Sequence, residues 1–222
     1  MKIVTTPMCE KILEFAGIIN YKVNKNPDNE EGDIAIILSE SDTKMDSLKI
    51  KLNTFTQIKN SIVQVSKLKK IPNNKLNINY SIPDDNFNSD IEELSLKNND
   101  LFLNESDLSS KLISDIFSNY SLALDWLDND KKRDFRKKNL NIRVKVYSLF
   151  LRDIVEDMGF TIVELEDNDS KSDYTIFPDY MNFNNKDGSN ILISIPTHNN
   201  APKDPIKRAE LRYSILNNLK IK

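Results

Sequence analysis

The sequence predicts an α/β fold made of two related half-units, each a mainly parallel sheet in a three-layer α/β/α arrangement, joined by a helical connection. Two observations predict it. One pattern occurs twice: Ile12-Leu13-Glu14-Phe15-Ala16-Gly17-Ile18, then Tyr21-Lys22-Val23, an acidic stretch and Asp33-Ile34-Ala35-Ile36-Ile37; and later Ile154-Val155-Glu156-Asp157-Met158-Gly159-Phe160, Thr161-Ile162-Val163, an acidic stretch and Asp173-Tyr174-Thr175-Ile176-Phe177. Each copy reads as a helix end, a glycine, a short strand, an acidic loop and a strand. The run over 33–38 is also apolar without alternation, as in strands covered on both faces. The expected boundaries are 1–68 for the first half-unit, 69–130 for the connection and 131–222 for the second half-unit.

Residues 2–6 read as a first strand ending in Thr5-Thr6. Pro7 suits the first turn of the following helix, where its missing N–H has no helical partner to lose. Met8, Ile12 and Phe15 share one face of that helix, and Gly17 supplies the left-handed residue that ends it. Strands follow over 20–23, 33–38 and 48–52, with a polar loop over 28–32. Thr54 and Gln57 form a capping box, and Phe55, Ile58, Ile62, Val65 and Leu68 mark one face of an amphipathic helix. From 69 to about 106 the pattern weakens: Asn73-Asn74, Asp84-Asp85 and Asn98-Asn99 punctuate short apolar pieces, with one strand expected over 77–82. A single helix is expected from Leu108, its stripe formed by Leu112, Ile113, Ile116, Phe117, Tyr120, Leu124 and Leu127. The charge run over 131–138 reads as a solvated linker before the next helix. Residues 142–146 alternate like a strand, yet Ile142, Val146, Leu149, Phe150 and Ile154 also fit a helix. The helix reading is preferred because it leads into Gly159 as the first helix leads into Gly17. Strands over 160–165, 173–177 and 191–195 complete the second copy. Pro202 and Pro205 open a last helix with Ile206, Ala209, Tyr213, Leu216 and Leu219 inward.

Composition excludes several functions. A net charge of −3 gives no basic field to attract nucleic acid or an anionic membrane. No segment approaches transmembrane length and none reads as a signal peptide, so the expected localisation is cytoplasmic. One cysteine permits neither an internal disulfide nor a multi-cysteine zinc cluster, and no metal site is expected. The four glycines stand where neither a P-loop nor a G-x-G-x-x-G turn can be written.

Candidate chemistry falls at the carboxyl ends of strands, where parallel α/β sheets present ligands and helix N-termini offer free N–H groups. Five junctions qualify: Thr5 to Cys9, Ser39 to Ser41, Asn53 to Gln57, Pro178 to Tyr180, and Pro196 to Asn200. Their short hydrogen-bonding side chains suit a carboxylate, phosphate or amide; they also suit plain capping. Thr5, Thr6, Ser39, Thr54, Gln57, Thr197, Asn199 and Lys203 are the candidate ligand-binding residues. Cys9, in the first turn of a helix whose dipole favours thiolate, is a candidate nucleophile or else a small core residue. His198, the lone histidine, is a candidate base or else a surface residue. Lys203 and Lys207 near a helix start hint at an anionic partner, while Arg208 and Arg212 share a helix face; solvated surface charge is the plainer account of all four. The 131–138 run is the strongest basic patch and a candidate dock for an acidic partner. The acidic loops over 28–31 and 166–169 lack calcium-loop spacing and read as turns.

The paired helix–glycine–strand units resemble the two-lobed Rossmann-like arrangement of metal-chelate periplasmic binding proteins and of nitrogenase-like components, although no cofactor-ligating motif of those families is matched. The opening Met1-Lys2-Ile3-Val4-Thr5-Thr6-Pro7-Met8-Cys9-Glu10 and the closing Pro196 to Pro205 are similar to those of a family of methanogenic archaea, which implies a role connected with methanogen coenzymes. The functional expectation is a cytoplasmic protein, a biosynthetic enzyme or a carrier, that binds an anionic small molecule or cofactor in a crevice between the halves. The alternative is a non-catalytic interaction or regulatory module meeting a partner protein, or a second copy, through 131–138 or 70–106.

Overall fold

In the computed structural model the described residues are 1–70, 103–165, 171–183, 191–197 and 199–220. The strand expected over 77–82, the acidic loop over 166–169 and His198 lie outside them. The chain divides into two compact units, Met1–Lys51 with Lys59–Asn119, and Leu52–Ile58 with Tyr120–Lys222.

The first unit holds β1 (Ile3–Thr5), α1 (Glu10–Phe15), β2 (Tyr21–Val23), β3 (Ile34–Leu38) and β4 (Ser47–Ile50). The sheet is parallel throughout, in the order β2-β1-β3-β4. Ile34 to Ile37 are buried without alternation, as their uniformly apolar character requires. Gly17 adopts φ +68°. Its N–H reaches Glu14 O and that of Ile18 reaches Leu13 O, both at 2.8 Å. This Schellman pair satisfies carbonyls that the end of α1 would otherwise leave bare. The helix α2 (Phe55–Lys67) begins at the expected box: Gln57 N donates to Thr54 Oγ1 at 3.2 Å, and Thr54 N donates to Gln57 Oε1 at 3.3 Å. Its buried face is Phe55, Ile58, Ile62 and Val65, followed by Leu68. The helix α3 (Leu103–Phe117) ends the unit's described part.

The second unit contains α4 (Ser121–Leu127), α5 (Asn129–Asn139), β5 (Arg143–Val146), α6 (Leu149–Asp157), β6 (Thr161–Ile162), β7 (Tyr174–Pro178), β8 (Ile191–Ile195) and α7 (Pro205–Asn217). Its sheet, β6-β5-β7-β8, is parallel and repeats the strand order of the first. Gly159, at φ +79°, repeats the Schellman pair: its N–H reaches Glu156 O at 3.0 Å and Phe160 N reaches Val155 O at 3.2 Å. The core centres on Tyr213, whose ring meets Phe55 at 4.6 Å and Trp126 edge-on at 4.9 Å. Tyr213 also donates to Asp157 Oδ2 at 2.6 Å, and Lys132 Nζ holds the other oxygen at 2.5 Å. The largely buried carboxylate thus has a donor on each oxygen.

Three expectations are corrected. The single helix from Leu108 to Leu127 is two helices. Tyr120, extended at φ −132° and ψ 93°, breaks the apolar stripe and starts α4. The supposed linker over 131–138 is itself helical: Asp128 caps α5 by accepting from Asp130 N and Lys131 N, and Phe135 stacks on Trp126 at 5.2 Å. Residues 143–146 form a strand, not a helix. β5 is an inner strand bonded to both β6 and β7. The helix starts only after Ser148, whose extended backbone and Oγ, accepting from Leu151 N at 3.3 Å, cap α6.

Candidate functional site

Parallel pairing brings the carboxyl ends of neighbouring strands to one edge of each sheet. In the second unit that edge carries Asp179 after β7 and the 196–204 loop after β8. Asp179 organises the loop. Its Oδ1 accepts from Thr197 N at 3.1 Å and from Thr197 Oγ1, and its Oδ2 accepts from Asn200 Nδ2 at 2.6 Å. Desolvation pushes the Asp179 carboxyl upward, but the Thr197 and Asn200 hydrogen bonds outweigh it and hold it below the usual carboxylate range.

The loop runs into Asp204, which caps α7 by accepting from Ile206 N at 2.8 Å and Lys207 N at 3.1 Å. Tyr120 donates to its other oxygen at 2.7 Å. From α7, Arg208 Nη1 donates to the carbonyls of Pro202 at 3.2 Å and Lys203 at 3.3 Å. One turn later, Arg212 Nε donates to Pro196 O at 3.1 Å, and its guanidinium lies 4.8 Å from the centre of the Phe150 ring. Both arginines are only 3% exposed. This corrects their reading as solvated charge: i,i+4 spacing sets them beside the inward stripe of Ile206, Ala209, Tyr213 and Leu216. Burial first, and then the charge of Arg208, pushes Arg212 down to about 10, against an upward pull from Asp179.

Of the residues predicted from sequence, Thr197 sits in this cluster, while Asn199 and Lys203 are exposed on the same loop. Thr54 and Gln57 belong to a second polar group of the same unit. Gln57 Nε2 and Asn53 Nδ2 both donate to Asp153 Oδ2, at 3.0 and 2.9 Å. In the first unit, Thr5 and Ser39 end adjacent strands. Thr5 is fully buried and its hydroxyl is committed to Ile36 O at 2.9 Å, so it ties two strands together. Ser39 Oγ donates to the neighbouring Glu40 carboxylate. The Thr6 carbonyl accepts from Cys9 N and Glu10 N. Cys9 is fully buried at the N-cap position of α1, rather than inside the first turn. Any pairing of Cys9 with His198 lies outside the described residues. Sequence reasoning held Asp179 within its Pro178 to Tyr180 junction without choosing it as a ligand residue, and passed over Arg208, Arg212 and Phe150 as site residues. The i,i+4 arginines beside an apolar stripe were the signal that would have found two of them.

The α5 patch is less basic than its sequence suggests. Lys131 pairs with Asp125, Lys132 with Asp157, Arg133 with Asp130 and Lys137 with Asp134. Arg136 Nη1 donates to the carbonyls of Glu156 and Asp157, both at 2.9 Å. A depression of about 400 Å³ lies between the Lys132, Arg133, Arg136 and Lys137 stems and Gly159, but paired cations line it.

These features define an α/β protein of two four-stranded parallel sheets with flanking helices and a charged cluster at one strand-end edge. No protein-family model and no curated protein matches the chain. Among solved structures it is similar to the metal-dependent lipoprotein YcdH from Bacillus subtilis, with 9% identity, 100% of each chain covered and a TM-score of 0.50. It is also similar to the Zn(II)-bound ZnuA-like domain of Streptococcus pneumoniae AdcA, with 9% identity, 98% of each chain covered and a TM-score of 0.46. A periplasmic metal binding protein from Candidatus Liberibacter asiaticus matches with 9% identity, 98% of each chain covered and a TM-score of 0.45. At such identities the likeness to YcdH is one of fold.

Proposed function

We propose that this chain binds a small ligand at the carboxyl edge of its second sheet, in the corner formed by the end of β7, the 196–204 loop and α7. One observation carries the reading. A buried guanidinium, Arg212, and a fixed carboxylate, Asp179, stand together where parallel α/β sheets receive ligands. Buried charge is expensive in a scaffold, and it concentrates at functional sites. The loop is held ready by Asp179, so little order remains to be gained on binding.

A small-ligand role is in keeping with the YcdH-like fold. Among the described residues the donors do not fit a transition metal as cargo. The sequence has one histidine and one cysteine, and among the described residues no three of His, Cys, Asp and Glu converge; zinc is held by three or four such ligands. A molecule related to methanogen coenzymes, the class implied by the resemblance of the two chain ends, is a small ligand of the required kind. Docking of an acidic partner on α5 is disfavoured by the ion pairs that already occupy its cations.

Native mass spectrometry of the protein purified from its own host tests the reading. A retained small molecule is expected on the wild-type chain, and Asp179→Asn or Thr197→Val should release it by loosening the loop. A wild-type chain that carries nothing, and whose melting is unmoved by any small molecule tried, would count against ligand binding.

A further inference from the structure

We propose that the ligand presents an oxyanion, a carboxylate or a phosphate group, to the two Nη nitrogens of Arg212. The inference rests on the ligand-binding reading and names the chemistry of that same site.

A guanidinium has five N–H donors in a planar fork. The Arg212 Nε hydrogen is used on Pro196 O. Among the described residues, the Nη nitrogens make no hydrogen bond and no carboxylate lies within ion-pair distance of them. Arg212 as a residue is only 3% exposed, and its Nη atoms keep access to solvent, since among the described residues no buried side-chain nitrogen lacks a partner. The guanidinium carbon stands over the Phe150 ring at 4.8 Å, and the Nη nitrogens are the donors left for a partner. Asp179 is committed through both oxygens to Thr197 and Asn200, so it answers the Arg212 charge only at a distance. A largely buried cation without a close counter-charge is costly. Bidentate pairing with a carboxylate or phosphate relieves that cost and uses the remaining donors.

The chain itself shows that the position does not require charge. Thr54 caps α2 and Asp204 caps α7, and each helix has 13 residues. Counting four and eight residues from each cap gives Ile58 and Ile62 in α2, and Arg208 and Arg212 in α7. The two isoleucines are fully buried. Scaffold requirements at these places are therefore met by apolar side chains; bonds to the Pro202 and Lys203 carbonyls account for Arg208, and the Nη edge of Arg212 calls for another reason.

The test follows the thermal midpoint of Trp126 fluorescence in dialysed protein during separate titrations with inorganic phosphate and with acetate, each against sodium chloride at matched ionic strength. A saturable rise is expected for at least one anion, and the stronger arm identifies the group. Arg212→Met should abolish the rise while leaving the midpoint in chloride equal to or above that of wild type, since it removes an uncompensated buried charge. Arg212→Lys keeps the charge but loses the fork, and should weaken binding on the order of tenfold. If neither anion gives a saturable rise, or Arg212→Met responds like wild type, the oxyanion assignment is overturned. If in that case wild-type protein still retains a molecule from its host, ligand binding survives the failure; if it retains none, both fail.

Discussion

Alanine at Gly159 is expected to destabilise this protein about three times as much as alanine at Gly17, although the two glycines do the same local work. Both end a helix through the same Schellman pair, and both adopt positive φ, +79° and +68°. Putting an L side chain into that region costs about 1–2 kcal/mol. The reduced freedom of the unfolded chain returns about 0.4–1 kcal/mol, leaving roughly 1 kcal/mol at either site. The surroundings then separate them. A Cβ at Gly17 would meet the Lys69 Nζ at 2.5 Å, the tip of a flexible side chain that can swing away. A Cβ at Gly159 would meet Arg136 Cα at 2.9 Å and Cβ at 2.8 Å, which requires α5 itself to shift. That shift loosens the two Arg136 bonds to the end of α6 and disturbs the neighbouring Lys132–Asp157 pair. With about 0.5–1.5 kcal/mol per hydrogen bond, the Gly159→Ala loss reaches about 3 kcal/mol, against about 1 kcal/mol for Gly17→Ala. Trp126 is the sole tryptophan, 2% exposed and within the second unit, so its emission during urea unfolding reads the Gly159 effect directly. Far-UV circular dichroism follows Gly17→Ala. A loss of 3 kcal/mol moves the midpoint by about 1–3 M at an m-value of about 1–3 kcal/mol/M. Equal losses at the two sites, or a smaller loss at Gly159, would refute the claim that Arg136 backbone crowding sets the difference.

Thr54→Ala should cost about 1 kcal/mol in urea unfolding, because the Gln57 N–H loses its cap. Gln57→Glu keeps the capping acceptor but sets a second carboxylate against Asp153, so its thermal midpoint should fall at pH 7 and recover toward wild type near pH 4; a pH-independent loss would argue against that contact. The Asp179 carboxyl is held below its unfolded value, so its contribution to stability is complete above about pH 4 and is lost as pH falls through the folded value. The midpoint gap between wild type and Asp179→Asn should therefore narrow on acidification, and a gap that widens would contradict the hydrogen-bond account. Tyr213→Phe removes one donor from the largely buried Asp157 and should cost about 1–3 kcal/mol by Trp126 emission.

The elements legible in the sequence are those whose signals are local. Gly17 and Gly159 announce helix ends because positive φ is a property of one residue. The Thr54–Gln57 box needs four residues, and the strand at 34–38 needs only an unbroken apolar run. The misread elements depend on distant partners. The alternation over 142–146 and the helical spacing from 142 to 154 coexist in the chain. Pairing of β5 with two strands decides between them, and both strands lie beyond α6 in the chain. The charge run over 131–138 becomes α5 because Phe135 finds Trp126 and the cations find Asp125, Asp130, Asp134 and Asp157. Thr5 illustrates the same limit at the candidate site. A hydroxyl at a strand end reads as a ligand group until the carbonyl of Ile36, one strand away, takes it.

The repeat and the candidate site explain each other. The two sheets share a strand order and a Schellman ending on the helix between their first two strands, and each is followed by a capped 13-residue helix. This shared frame has no need of unusual chemistry. Where the frame places buried isoleucines in one copy, the other has Arg208 and Arg212, and beside them the Asp179–Thr197–Asn200 clasp. An apolar core position tolerates isoleucine at no electrostatic cost, whereas a guanidinium there is retained at the expense of several kcal/mol unless something compensates it. Capping accounts for Thr54 and for Asp204, and sheet bonding for Thr5. Neither accounts for a largely buried arginine whose Nη edge meets solvent without a protein partner. The departure of one copy from the other at this helix, rather than the hydroxyl-rich junctions that both copies carry, is the ground for proposing the second unit as the place of a ligand.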